Sequence, residues 1–168
     1  NAVFHADDFR PEFIKMLQAD QVILEKMWND WQGISDEDDS KFAKFKELLK
    51  HELFKSEHNP EQKLVIFSES IDTVKYLERR INRPDVLVIS SGNRSLLFKT
   101  IRENFDANYK TKLNDYNIIL TTDVLAEGVN LHRSNVIVNY DTPWNSTRLM
   151  QRIGRVNRIG SVSKRIYN

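Results

Sequence analysis

Lys63-Leu64-Val65-Ile66-Phe67-Ser68-Glu69-Ser70 is a run of apolar, β-favouring residues that stops abruptly at a polar cluster. Successive strand residues point to opposite faces, so a strand apolar at every position has both faces covered. Three later stretches repeat the pattern. Asp85-Val86-Leu87-Val88-Ile89 ends in Ser90-Ser91-Gly92-Asn93, and Tyr116-Asn117-Ile118-Ile119-Leu120 ends in Thr121-Thr122-Asp123. Val136-Ile137-Val138-Asn139-Tyr140 ends in Asp141-Thr142-Pro143-Trp144-Asn145. Between the first three runs, Val74, Leu77 and Ile81, then Leu96, Leu97, Ile101 and Phe105, recur at helical spacing. Residues 163–167 read as the start of a last strand.

Buried strands alternating with helices imply an α/β fold, a parallel sheet with helices on both faces. Right-handed crossovers place every strand's C-terminal end on one edge. All four polar clusters therefore share an edge, and in open α/β sheets ligands bind there.

The last helix of the series carries Gln151-Arg152-Ile153-Gly154-Arg155-Val156-Asn157-Arg158-Ile159-Gly160. Arginines at three-residue steps fan slowly around one side of a helix. Permanently charged guanidinium groups this close repel unless an anion lies among them, and their planar forks match phosphate oxygens in pairs.

Charge distribution supports that reading better than total charge. The net charge is +1, yet no acid follows Asp141, while Arg148, Arg152, Arg155, Arg158, Lys164 and Arg165 do. The chain has no cysteine, which removes disulfides, thiolate metal sites and cysteine nucleophiles, and makes a reducing cytoplasm the default location. Its four histidines lack ligand spacing, so no metal site is expected. The apolar runs are too short to span a bilayer, no signal peptide opens the chain, and no membrane association is expected.

The first sixty residues differ in character. Phe9, Phe13, Met16, Leu17, Leu24, Met27 and Trp31 predict an amphipathic helix over 8–31. A second helix, over 40–55, carries Phe42, Phe45, Leu48, Leu49 and Leu53 on one face, with Ser40 or Asp39 as N-cap. The expected organisation is a helical extension over 1–60, its helices packed on the core or on each other, then an α/β domain over 61–168.

As a set, these segments resemble the C-terminal RecA-like lobe of superfamily-two helicases and translocases. Residues 63–70 are similar to the family's fourth motif, Ser90 to Asn93 to its serine-glycine turn, and Thr121 to Leu131 to its fifth motif. Gln151 to Arg158, reading Q-R-x-G-R-x-x-R, is similar to the sixth. Tyr140-Asp141-Thr142-Pro143-Trp144-Asn145 points to the Swi/Snf-like branch, bacterial members included. The resemblance implies that two such lobes sandwich ATP. Arg158 would be the finger that neutralises charge growing on the γ-phosphate, and Arg155 would bind the same region. Gly128 and Asn130 would approach the nucleotide, Asn130 either bonding a ribose hydroxyl or holding the loop. Asp123, Gln151 and Arg152 would orient the arginine helix, and Gly154 would let it pack closely. Ser68, Ser91, Gly92, Asn93 and Thr122 would hold nucleic-acid phosphates without reading bases. Trp144 reads as a packing anchor or, second, as an exposed ring near the nucleic acid.

No G-x-x-x-x-G-K-[ST] loop occurs, and no acidic box follows a strand. The phosphate cradle and magnesium would belong to an N-terminal RecA-like lobe of the same polypeptide. This chain, which ends soon after the sixth motif, is then expected not to hydrolyse ATP alone. Double-stranded DNA is the favoured partner and RNA the alternative. Translocation is the first reading, strand separation the second, and a catalytically inert binding module the third.

Overall fold

The computed structural model describes residues 5, 9–10, 12–33, 38–125, 128–157, 161–163 and 165–168. The chain divides into two compact units, Asn1–Lys44 and Phe45–Asn168. The first contains α1 (Phe13–Gln32) and the start of α2 (Ser40–His51). Asp39 caps α2 by accepting the Phe42 N–H at 2.8 Å. No residue of α1 is buried, and Met16, Leu17, Leu24, Met27 and Trp31 are all exposed. The first unit by itself thus leaves the apolar face of α1 uncovered. Ile14, Val22, Ile23 and Trp28 add apolar groups beyond the expected face, and so short a unit has little surface to cover them.

The second unit holds four parallel strands, β1 (Leu64–Phe67), β2 (Val86–Ile89), β3 (Ile118–Thr121) and β4 (Val136–Asn139), in the order β2-β3-β1-β4. Every residue of β1 and β3 is buried, as their unbroken apolar sequences require in the middle of the sheet. One face of the sheet packs Val65, Phe67, Leu87, Ile89, Ile119 and Ile137 against Ile101 and Phe105 of α4 (Arg94–Phe105) and Val156 of α5 (Ser146–Val156). In α4 the inward position falls to Leu97, while Leu96, also expected inside, is 84% exposed. Adjacent helical residues lie about 100° apart, so only one of the two can face the core.

On the other side α3 (Ile71–Ile81) buries Val74 and Leu77. Ser70 caps α3 by accepting the Asp72 N–H, and Asn82 closes it in the left-handed conformation at φ 46°. The expected last strand is represented by one parallel bridge, Tyr167 against Val136 at the outer edge of β4.

The edge formed by the strands' N-terminal ends is closed by two buried cations. Lys63 donates from Nζ to the Tyr116 carbonyl at 2.6 Å and to Asn117 Oδ1 at 3.1 Å. Arg133 donates to Glu61, to the carbonyls of Asn104 and Leu113, and to Asn114. These bonds fix the loops before β1, β3 and β4 and leave the opposite edge to carry the polar clusters.

Burial, then the nearby Arg133 guanidinium, push the Lys63 ammonium down to about 8 from its ordinary 10.5. Between those values the unfolded chain holds a proton that the folded chain has released, so this residue's contribution to stability rises with pH. Over the full interval the effect is roughly 3 kcal/mol. Urea unfolding of wild type and Lys63→Met should show the difference moving in favour of wild type as pH rises from 8 to 10.5. A pH-independent difference would show the ammonium to be ordinary.

Candidate functional site

The sixth-motif segment lies on α5, which the Asn145 side chain caps by accepting the Thr147 N–H at 2.8 Å. Its second member, Arg152, is completely buried. Nε donates to Asp123 Oδ1 at 2.6 Å, and Nη2 donates to Glu69 Oε1 at 2.6 Å. Nη1 donates to Asn139 Oδ1 at 2.8 Å and to the Asp141 carbonyl at 3.3 Å. The guanidinium carbon stands 5.2 Å from the centroid of the Phe67 ring. One side chain thus ties α5 to the C-terminal ends of β1, β3 and β4. Arg148, one turn earlier and half-exposed, lies 3.5 Å from both Glu69 and Asp123.

The structure therefore brings Asp123 and Arg152 together. Gln151 is exposed and makes no side-chain hydrogen bond among the described residues, so the contacts that orient the helix come from Arg152 alone of that pair. Arg155 is half-buried in the last turn of α5, and its carbonyl accepts the Leu131 N–H at 2.9 Å. That bond sets it beside the 128–131 loop. Within the loop, Val129 and Leu131 enter the core while Gly128 is exposed and Asn130 half-buried. Gly128 adopts φ +82°, a left-handed conformation that side chains disfavour. Arg158, expected as the finger, lies outside the described residues, with Ile159 and Gly160.

Gly154 differs from expectation. A Cβ there would meet nothing within 4 Å, so close packing within this chain does not explain the glycine. Trp144 is also corrected. Its relative accessibility is 104%, while the neighbouring Pro143 is buried, so the proline anchors the turn and the indole projects freely.

The residues expected at the nucleic acid divide into two groups. Ser91 and Gly92 are exposed at the end of β2, and Thr122 is half-buried after β3. Ser68 is buried and donates its hydroxyl to Asp141, so it holds the edge together rather than facing outward. The Asn93 amide is engaged locally, accepting the Ser90 N–H at 2.8 Å and donating to the Val88 carbonyl at 3.0 Å. It builds the turn that presents Ser91 and Gly92.

Sequence reasoning missed Glu69, Asn139 and Asp141 as partners of Arg152. The signal available was an acid at the end of three of the four strands, next to a helix with a surplus of arginine. Among the described residues, no group of three or more His, Cys, Asp or Glu side chains is placed to hold a metal ion. Among the described residues, no helix is long and apolar enough to cross a membrane.

Residues 40–160 match the family described as the helicase conserved C-terminal domain. The chain is 29% identical over 119 residues to the probable ATP-dependent RNA helicase ddx51 of Dictyostelium discoideum, covering 68% of this chain and 21% of that protein. It is 33% identical over 114 residues to the uncharacterized ATP-dependent helicase YqhH of Bacillus subtilis (strain 168), covering 64% and 19%. The crystal structure of the C-terminal part of the Fun30 ATPase domain matches with a TM-score of 0.60 at 20% identity, over 90% of this chain and 47% of that one. That last likeness carries the RecA-like α/β fold. The chain spans 21% and 19% of the length of these two curated relatives, about a fifth.

Removing the guanidinium should leave two acids without their counter-charge. Breaking a fully buried pair costs about 3–5 kcal/mol, and Glu69 and Asp123 keep about a third of their exposure, so Arg152→Met should cost roughly 2–3 kcal/mol in urea unfolding. A loss below about 0.5 kcal/mol, the range of ordinary surface changes, would mean the clamp is not structural.

Proposed function

This chain belongs to the helicase conserved C-terminal domain family, and from that premise we propose that it is the C-terminal RecA-like lobe of an ATP-driven nucleic-acid translocase of the Swi/Snf-like branch. The observation that carries the reading is the Arg152 clamp. It fixes α5 with Arg155 in its last turn beside the loop that carries Gly128 and Asn130.

ATP would supply the energy for movement, and an N-terminal lobe would hold its phosphates, its magnesium and the attacking water. Within this chain, the residues present suit a nucleotide's edge. Arg152 is already balanced by Glu69 and Asp123, which leaves phosphate contact to Arg155 and Arg158. Arg158 acts as the finger, meeting charge that develops on the γ-phosphate. Arg155 binds the same region and links nucleotide state to lobe closure. Gly128 lets the backbone come close to the nucleotide, and Asn130 bonds a ribose hydroxyl or holds the loop. The open space at Gly154 leaves room for the nucleotide or the facing lobe. Lacking a phosphate cradle of its own, the chain does not hydrolyse ATP alone.

On the nucleic-acid side, Ser91, Gly92 and Thr122 contact phosphates through hydroxyls and backbone N–H groups, a mode indifferent to sequence. The exposed Trp144 ring offers a stacking surface near that strand. Double-stranded DNA is the preferred substrate. RNA is the second reading, favoured by the 29% identity to a protein described as a probable RNA helicase, and strand separation would accompany it.

ATP turnover by the complete two-lobed protein tests this, with and without duplex DNA or single-stranded RNA, beside Arg158→Ala. Duplex should stimulate the wild type, and the variant should bind ATP but lose turnover roughly a thousandfold. Normal turnover by Arg158→Ala would remove the finger assignment, and stimulation by RNA alone would favour the second reading.

A further inference from the structure

We propose that Arg94 is a positioning residue that couples the nucleic-acid turn to the nucleotide loop, a role that rests on the assignments of those two segments made above. Arg94 is the first residue of α4, directly after the Ser90–Asn93 turn, and its N–H donates to the Ser90 carbonyl at 3.0 Å. Its side chain crosses to the end of the neighbouring strand. The Nη2 atom occupies the place that a Cβ on Gly128 would take, and Cζ stands 3.7 Å from that place. A Cβ at this position would meet the end of the Arg94 side chain, and Gly128 combines the absence of one with φ +82°.

A cation in the first turn opposes the helix dipole, which favours anions there. The Arg94 guanidinium lies across the gap, against Gly128. The turn at its base is stiff, because both ends of the Asn93 amide are bonded to the backbone around it. A displacement of Ser91 and Gly92 by a phosphate therefore moves the base of Arg94, and through it the segment leading to Asn130 and Arg155. β2 and β3 are hydrogen-bonded neighbours, so the connection is short.

Two measurements on Arg94→Ala test the proposal. Amide hydrogen exchange on this chain should rise about tenfold over residues 128–131, with no change over β3 at 118–121. In the two-lobed protein, the factor by which nucleic acid stimulates ATP turnover should fall about fivefold, while half-saturation by nucleic acid changes less than about twofold. A merely structural residue would lower stimulated and unstimulated turnover together. Unchanged exchange over 128–131 overturns the positioning role, and intact stimulation with a loosened loop overturns the coupling. A wild type with no nucleic-acid stimulation overturns the functional reading above and the coupling with it, while the exchange arm separately decides whether Arg94 holds the loop.

Discussion

The upper edge of the sheet depends on a single buried charge. Desolvating a guanidinium costs several kcal/mol, which attraction to acids and hydrogen bonds must offset. Arg152 meets Glu69, Asp123, Asn139 and the Asp141 carbonyl, with the Phe67 ring close by. Apolar residues could fill the same volume without that cost. What they could not supply is direction, because a hydrophobic contact tolerates rotation and sliding, and this set of bonds does not. The clamp fixes the rotation of α5 against the ends of β1, β3 and β4.

The two edges of the sheet use buried cations for different ends. At the lower edge Lys63 and Arg133 bond mainly to backbone carbonyls and amide side chains, and they close loops. At the upper edge Arg152 and Arg148 meet carboxylates at strand ends. The charges of Glu69 and Asp123 are thereby taken up within this edge. The Leu131 N–H bond to the Arg155 carbonyl ties the adjoining loop to α5, and the Arg94 guanidinium lies against Gly128 at its other end.

Much of this was legible from the sequence. The strands fall close to residues 63–67, 85–89, 116–120 and 136–140, and the two that are buried throughout, β1 and β3, are the ones that must be apolar on both faces. The polar clusters share an edge because crossover handedness leaves no other arrangement. Strand order was not legible, since no local pattern encodes which buried strand lies beside which. Nor does periodicity choose between the adjacent Leu96 and Leu97. Of the two readings of Trp144, the packing anchor fails, because Pro143 beside it takes the buried place and only packing selects between them. Among three arginines alike in sequence, it is tertiary contact that buries Arg152.

The central claim is that Arg152 is a structural clamp and not a phosphate ligand. It is tested most directly by following the arginine Nε–H resonances of the two-lobed protein with and without bound nucleotide. The account predicts an Arg152 Nε–H protected from solvent exchange and unmoved by nucleotide, while the Arg155 resonance shifts. An Arg152 Nε–H that exchanges freely, or that shifts on nucleotide binding while Arg155 stays still, would contradict it.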